Sequence, residues 1–234
     1  VCRSPEEDAE MKRESEYMDL LNYYRECFSL IDCIHFNSEV SKSVYERTLG
    51  ECEGKTVGIT HGGIEDNRKI KSFSECGLVV GFIGNDTPYK GLQVLKKAIE
   101  GLDIEVMVWG GKRKEEHPVH YRGKFSKDQL SKVYKDMDVL VVPSVWKETF
   151  SLVTLEALSF GVPVIVSDNV GAQDIVKEYN PCFVYHSEED LRDLLITLVN
   201  DKSQLVEYNK SILKKPWKHD MKHHASEIIN LIYL

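Results

Sequence analysis

From Leu78 to Tyr185 the chain alternates apolar runs with amphipathic stretches, and few folds accept that order. Leu78-Val-Val-Gly-Phe-Ile-Gly84, Ile104 to Trp109, Val139 to Val142, Val162 to Ser167 and Cys182 to Tyr185 are nearly continuous apolar segments. Short runs without polar alternation are expected of strands covered on both faces. Between them lie helical patterns. Lys90 to Leu102 carries Leu92, Leu95, Ile99 and Leu102 on one stripe, and Lys127 to Lys135 is entered at Ser126. Leu152 to Phe160, Gly171 to about Tyr179, and Glu188 to Val199 follow, and a short strand is predicted near Val119 to Arg122. This repetition predicts an α/β fold built on a doubly wound, parallel, Rossmann-like sheet with right-handed crossovers.

Such sheets bind ligands at the carboxyl ends of their strands. The unusual residues fall at those ends: Gly84 to Lys90, Gly110-Gly111, Ser144 to Ser151, and Asp168 to Ala172. The most informative stretch is Glu148-Thr-Phe-Ser-Leu-Val-Thr-Leu-Glu156. Ser151 is a suitable N-cap residue, so Glu148 is expected in the loop and Glu156 within the first turns of the following helix. Between them, the backbone N–H groups of Phe150, Ser151 and Leu152 and the positive end of a helix dipole can hold a diphosphate. A carboxylate on either side can accept hydroxyl groups, Glu156 from a ribose diol and Glu148 from a sugar. A nucleotide-sugar presents its groups in that order. Lys90, in Gly84-Asn-Asp-Thr-Pro-Tyr-Lys-Gly91, can neutralise the diphosphate and stabilise it as a leaving group without a metal.

Composition excludes several other classes. Of 234 residues 42% are hydrophobic, enough for a real core, and the net charge of -8 argues against a nucleic-acid surface. The six cysteines (Cys2, Cys27, Cys33, Cys52, Cys76, Cys182) form no Cys-x-x-Cys pair, which predicts a reduced, cytoplasmic protein. No apolar run reaches membrane-spanning length. The chain begins at Val1 without Met, as expected of a fragment or a processed chain.

The first 66 residues differ in pattern. Val1 to Glu16 is charged and weakly patterned, Tyr17 to Ile31 predicts an amphipathic helix, and two short strands, Cys33 to Phe36 and Lys55 to Thr60, flank a helix from Glu39 to Leu49. We read 1–66 as the remnant of a preceding domain with its linker, and 67–234 as the nucleotide-sugar-binding domain. The last helix, about His219 to Leu234, should bury Met221, Ala225, Ile228 and Ile232. Lys112, Arg113 and Lys114 form a basic run best explained as a solvated loop. His117 and His120 are three apart, and His219, His223 and His224 cluster in the last helix, where His219 and His223 could share a face and bind zinc; no acid or cysteine is spaced to complete a site, so surface histidines are expected and no metal site is predicted.

Together these segments resemble the carboxyl-terminal half of a family 4 glycosyltransferase of the GT-B fold, from about Ile34 onward. The paired glutamates of ETFSLVTLE are its most specific element, supported by FIGNDTPYKGL, HFNSEVSKSVYERTL, ITHGGIED and DNVGAQDIV. The resemblance implies a donor site of Gly84, Asn85, Lys90, Gly91, Glu148, Thr149, Phe150, Ser151, Leu152 and Glu156, with Glu148 and Lys90 closest to the chemistry. It implies metal-independent sugar transfer, with retention, from a nucleotide-diphosphate sugar to a glycan or lipid-linked acceptor, and peripheral contact of the full-length protein with the cytoplasmic face of a membrane. No cofactor is implied. Asn85 stands where the family usually has arginine, and Gly171-Ala172 where it usually has two glycines. Most of the amino-terminal, acceptor-binding domain is absent. The alternatives are a non-catalytic nucleotide-binding module needing a partner, an epimerase or phosphorylase of the same fold, and a scaffold on which both glutamates are surface acids.

Overall fold

The computed structural model describes residues 5–111 and 115–233. The basic run Lys112 to Lys114 therefore lies outside the described residues. The chain opens with α1 (Pro5–Ser29), then β1 (Cys33–Phe36), α2 (Glu39–Leu49) and β2 (Thr56–Ile59), with β1 and β2 paired in parallel. The helix predicted from Tyr17 starts earlier and ends at Ser29, and from Arg13 onward most of its residues are solvent-exposed, Tyr17, Met18, Leu20, Tyr23 and Tyr24 included.

The main sheet holds β3 (Leu78–Ile83), β4 (Ile104–Trp109), β5 (Glu115–Glu116), β6 (Val119–Gly123), β7 (Val139–Val142), β8 (Val164–Ser167) and β9 (Val184–Tyr185). Their spatial order is β5-β6-β4-β3-β7-β8-β9. All neighbours run parallel except β5, which forms an antiparallel hairpin with β6. That hairpin arm carries no apolar run and was not foreseen from the sequence. The six parallel strands follow the doubly wound order in which the direction of winding reverses at the first strand, here between β3 and β7. The crossovers are α3 (Leu92–Ala98), α4 (Leu130–Lys135), α5 (Leu152–Ser159) and α6 (Gln173–Tyr179), followed by α7 (Glu188–Asn200). Leu78, Val80, Val139, Leu140, Val164, Ile165 and Val166 are fully buried, which accounts for their unalternating apolar sequence.

Asp138, at the entrance of β7, is buried yet satisfied. Its carboxylate accepts from Ser74 N at 2.7 Å, Val79 N at 3.0 Å and the Ser74 hydroxyl, with Lys202 Nζ 3.7 Å away. It joins the approach to β3 to the start of β7 and so fixes the two strands of the switch point.

Helix α8 (Ser203–Lys214), missed in the sequence, buries Leu205, Tyr208, Asn209 and Ile212. Helix α9 (Met221–Tyr233) lies on β2. Its inward side is turned from the expected Met221/Ala225 stripe: Met221 and Ala225 are exposed, whereas His224, Ile228 and Leu231 are half-buried. Two glycines set this rotation. A Cβ on Gly58 would meet Leu231 Cδ2 at 2.2 Å, and one on Gly62 would meet His224 Cβ at 2.2 Å, so the larger side chains of α9 sit where the opposite chain has none. Among the described residues no helix is long and apolar enough to cross a membrane.

Candidate functional site

The two loops richest in predicted ligand groups leave the carboxyl ends of β3 and β7, the strands that flank the switch point. After β3 the chain passes Gly84 and the exposed Asn85, makes a single tight turn over Pro88–Lys90, and enters α3 through Gly91. Gly91 has φ 76, and a Cβ there would lie 1.7 Å from Pro143 O. The helix predicted from Lys90 therefore begins at Leu92, because only glycine both adopts the left-handed turn and admits the β7 loop at that distance. This contact brings Lys90 under the second loop.

There Lys90 Nζ donates to Glu148 Oε1, which also accepts from Ser144 Oγ at 2.7 Å. Glu148 is buried and Lys90 is partly open to solvent. Ser144 is oriented in turn, since its carbonyl accepts from Ser167 Oγ at 2.6 Å and Asn169 Nδ2 at 3.3 Å. Glu148 N–H donates to Asn169 O at 2.9 Å, and its carbonyl accepts from Gly171 N at 3.1 Å, so the loop is paired as a strand with Asp168 to Ala172. A Cβ on Gly171 would stand 2.2 Å from Thr149 O.

Ser151 occupies the N-cap position of α5 but does not cap it. Its backbone has φ 93 and ψ 86, and its side chain accepts from no α5 N–H. It is the one non-glycine residue with positive φ among those described. The hydroxyl instead accepts from Thr154 Oγ1 at 3.1 Å. The opening N–H groups of α5 thus carry no side-chain cap and present partial positive charge at the mouth of the switch point. Backbone strain of this kind clusters at ligand sites. Leu152, the first helical residue, is exposed beside it. In the adjoining loop Thr87 Oγ1 is buried without a hydrogen-bond partner among the described residues.

Glu156 sits one turn into α5, half-buried, and its Oε2 accepts from Tyr134 OH at 2.9 Å. Tyr134 is almost fully buried in α4 and stacks on Phe160 at 5.2 Å. Burial first, and the Glu156 charge second, push its phenol far above the ordinary tyrosine range, so it stays a donor. Nothing in the sequence marked Tyr134 as the residue that orients Glu156.

The first 66 residues also hold the Glu148 loop. The Ser38 hydroxyl donates to Thr149 O, and His61 stacks on the buried Phe150, rings 5.2 Å apart and 11° from parallel. His61 Nδ1 is 2.8 Å from Asn37 O. Burial lowers the pKa values of His61 and His219, so these rings pack as neutral groups; the more open His35 is lowered as well, by partial desolvation and by the neighbouring His224 and His61. His219 and His223 do not share a helix face. His219 precedes α9 and packs on Trp217, whereas His223 bonds Asp220 at 2.7 Å.

The model for the family "Glycosyl transferases group 1" matches residues 63–215. The chain belongs to this family. It is 32% identical over 148 residues to a D-inositol 3-phosphate glycosyltransferase of Corynebacterium glutamicum, covering 53% of this chain and 35% of that one. It is 31% identical over 163 residues to the sulfoquinovosyl transferase SQD2 of Arabidopsis thaliana, covering 66% of this chain and 28% of the relative. An uncharacterized glycosyltransferase of Methanocaldococcus jannaschii is 31% identical over 145 residues, 55% of this chain and 35% of its own. The chain thus matches about a third of the length of these relatives. Among solved structures, Anabaena HepE in complex with UDP and glucose superposes with a TM-score of 0.69 at 17% identity, over 87% of this chain and 63% of HepE. WaaG, a glycosyltransferase of lipopolysaccharide biosynthesis, gives 0.63 at 17% identity, over 84% and 61%. These superpositions establish the GT-B type of fold for a group 1 chain.

Proposed function

We propose that this chain is the donor-binding part of a retaining glycosyltransferase that moves a sugar from a nucleotide-diphosphate sugar to a glycan or lipid-linked acceptor, without requiring a metal ion. The observation that carries the reading is the meeting of Lys90, Glu148 and the uncapped start of α5 at the switch point between β3 and β7. A diphosphate there accepts from the N–H groups of Phe150, Ser151 and Leu152 and replaces Glu148 as the partner of Lys90. Lys90 then stabilises the charge that develops on the departing diphosphate, an electrostatic contribution available without a cation from solution. Glu148, released from Lys90 but still held by Ser144, accepts sugar hydroxyls. Glu156, held from behind by Tyr134, accepts the ribose diol. Gly84, Asn85, Gly91 and Thr149 shape the two loops.

HepE binds UDP and glucose on the same fold, which supports a nucleotide-sugar as the ligand class. We read residues 1–66 as the end of the acceptor domain with its linker, and 67–234 as the donor domain. The contacts of Ser38 and His61 with the Glu148 loop then couple acceptor side to donor side. On this reading the 234-residue chain binds donor and transfers little sugar.

The test is a thermal-shift panel of nucleoside diphosphates and nucleotide-sugars on the wild type and on Glu156→Ala. A ligand at about a hundred times its dissociation constant stabilises by about 2.7 kcal/mol, several degrees for a chain of this size. A shift with one base that shrinks in the variant supports the donor site. No shift with any nucleotide overturns it. Robust sugar transfer by this chain alone would refute the division of labour.

A further inference from the structure

The sequence offered no acid to complete a site with His117 and His120. The fold brings one from twelve residues upstream. Glu105 lies at the start of β4, and Val106 N donates to Pro118 O at 2.8 Å, which holds the β5–β6 turn against the strand end. Glu105 and Met107 project from the same face of β4, opposite the buried Val106 and Val108. His120 on β6 pairs in register with Met107 and turns to that face. Glu105 Oε2 contacts His120 Nε2, and Glu105 Oε1 lies 3.9 Å from His117 Nδ1. One ligand atom from each of the three residues lies within 4.8 Å of the others.

A tetrahedral ion with bonds of about 2.1 Å needs its ligands about 3.4 Å apart. Closing that gap takes roughly an ångström of movement by His117, whose side chain is 80% exposed. The surroundings favour a cation. Among the described residues, the adjoining cavity, about 580 Å³, is lined by Glu100, Asp103, Glu105 and Glu116 and by Lys96, itself 3.0 Å from Glu116, while Arg122 donates to Met107 Sδ at 3.2 Å beside it. Two imidazoles and one carboxylate suit zinc-like ions, whereas magnesium and calcium take oxygen ligands.

We propose that Glu105, His117 and His120 form a divalent transition-metal site of the zinc class, which pins the β5–β6 turn to β4. Three protein ligands leave a fourth position for water. The site stands at the amino end of β4, at the opposite end of the sheet from Lys90 and Glu148, so it acts on the sheet edge and not on the donor.

The experiment adds Co²⁺ to the full 234-residue chain, to His117→Ala and to Glu105→Gln, followed by Zn²⁺ competition and melting with Zn²⁺ or Mg²⁺. The wild type should bind one Co²⁺ with visible ligand-field bands and without the intense thiolate charge transfer that would mark the cysteines. Zn²⁺ should displace it and raise the melting temperature, while Mg²⁺ does neither. Each variant should bind at least about tenfold more weakly. The exposed position of His117 keeps that variant folded. No uptake, uptake equal in all three proteins, or uptake accompanied by thiolate charge transfer would each overturn the proposal.

Discussion

Ser151 is the residue at which local preference and tertiary need conflict most openly, and the conflict can be measured. Its φ of 93 places a Cβ-bearing residue in left-handed backbone, at a cost of about 1–2 kcal/mol. At an ordinary position alanine is more stable than glycine by roughly 0.5–1 kcal/mol, because glycine loses more backbone freedom on folding. At residue 151 the strain borne by alanine outweighs that advantage, and glycine should lead by about 1 kcal/mol. Comparing Ser151→Gly with Ser151→Ala isolates the backbone effect, since both variants lose the same contact with Thr154 Oγ1. Urea unfolding followed by the fluorescence of Trp109, Trp146 and Trp217 measures the difference through the midpoint at constant slope. Thermal melting should separate the variants by about 2–4 °C. An alanine variant as stable as the glycine variant, or more stable, would refute the claim that the start of α5 is strained.

Further outcomes follow from other parts of the structure. Asp138→Ala should destabilise by about 3–5 kcal/mol, because it strips two backbone N–H groups of their acceptor and leaves Lys202 without its carboxylate; urea unfolding gives the value. Tyr134→Phe keeps the stack on Phe160 and removes the hydrogen bond to Glu156, so nucleotide affinity, by calorimetry, should fall about tenfold, equivalent to roughly 1.4 kcal/mol, with the melting temperature moving far less than in Asp138→Ala. Stability should fall between pH 7.5 and pH 5.5. Burial holds the pKa values of His61 and His219 below the ordinary 6.5, so the unfolded chain takes up these protons first and stability drops as pH falls below that value. Asp66, held low chiefly by its hydrogen bond from Arg68, contributes a loss only at pH values below the ordinary carboxylate range. His61→Gln should flatten the loss between pH 7.5 and 5.5, as measured by the urea midpoint at each pH.

The alternation of apolar runs and helical stripes determined the parallel sheet by itself, because a strand buried on both faces has no room for polar residues. Gly84 to Lys90 and Ser144 to Ser151 were legible as loops for the same reason: glycine, proline and charge gather where apolar runs stop. Residues whose partners are distant in sequence were not legible. Tyr134 reaches Glu156 across 22 positions, His61 reaches Phe150 across 89, and Glu105 reaches His120 across 15. Each pairing depends on which strands become neighbours, and local periodicity carries no record of that order. The rotation of α9 shows the same limit, for its inward face was chosen by Gly58 on β2 and Gly62 just beyond it. So does Ser151, whose type suggested a cap. The loop around it is held by Ser38, Gly171 and His61, and under those constraints its backbone turns left-handed and its hydroxyl away from the helix. The chain's own pattern determined what kind of sheet forms and at which end its candidate ligand groups gather; tertiary packing decided which of those groups meet and which atoms they offer.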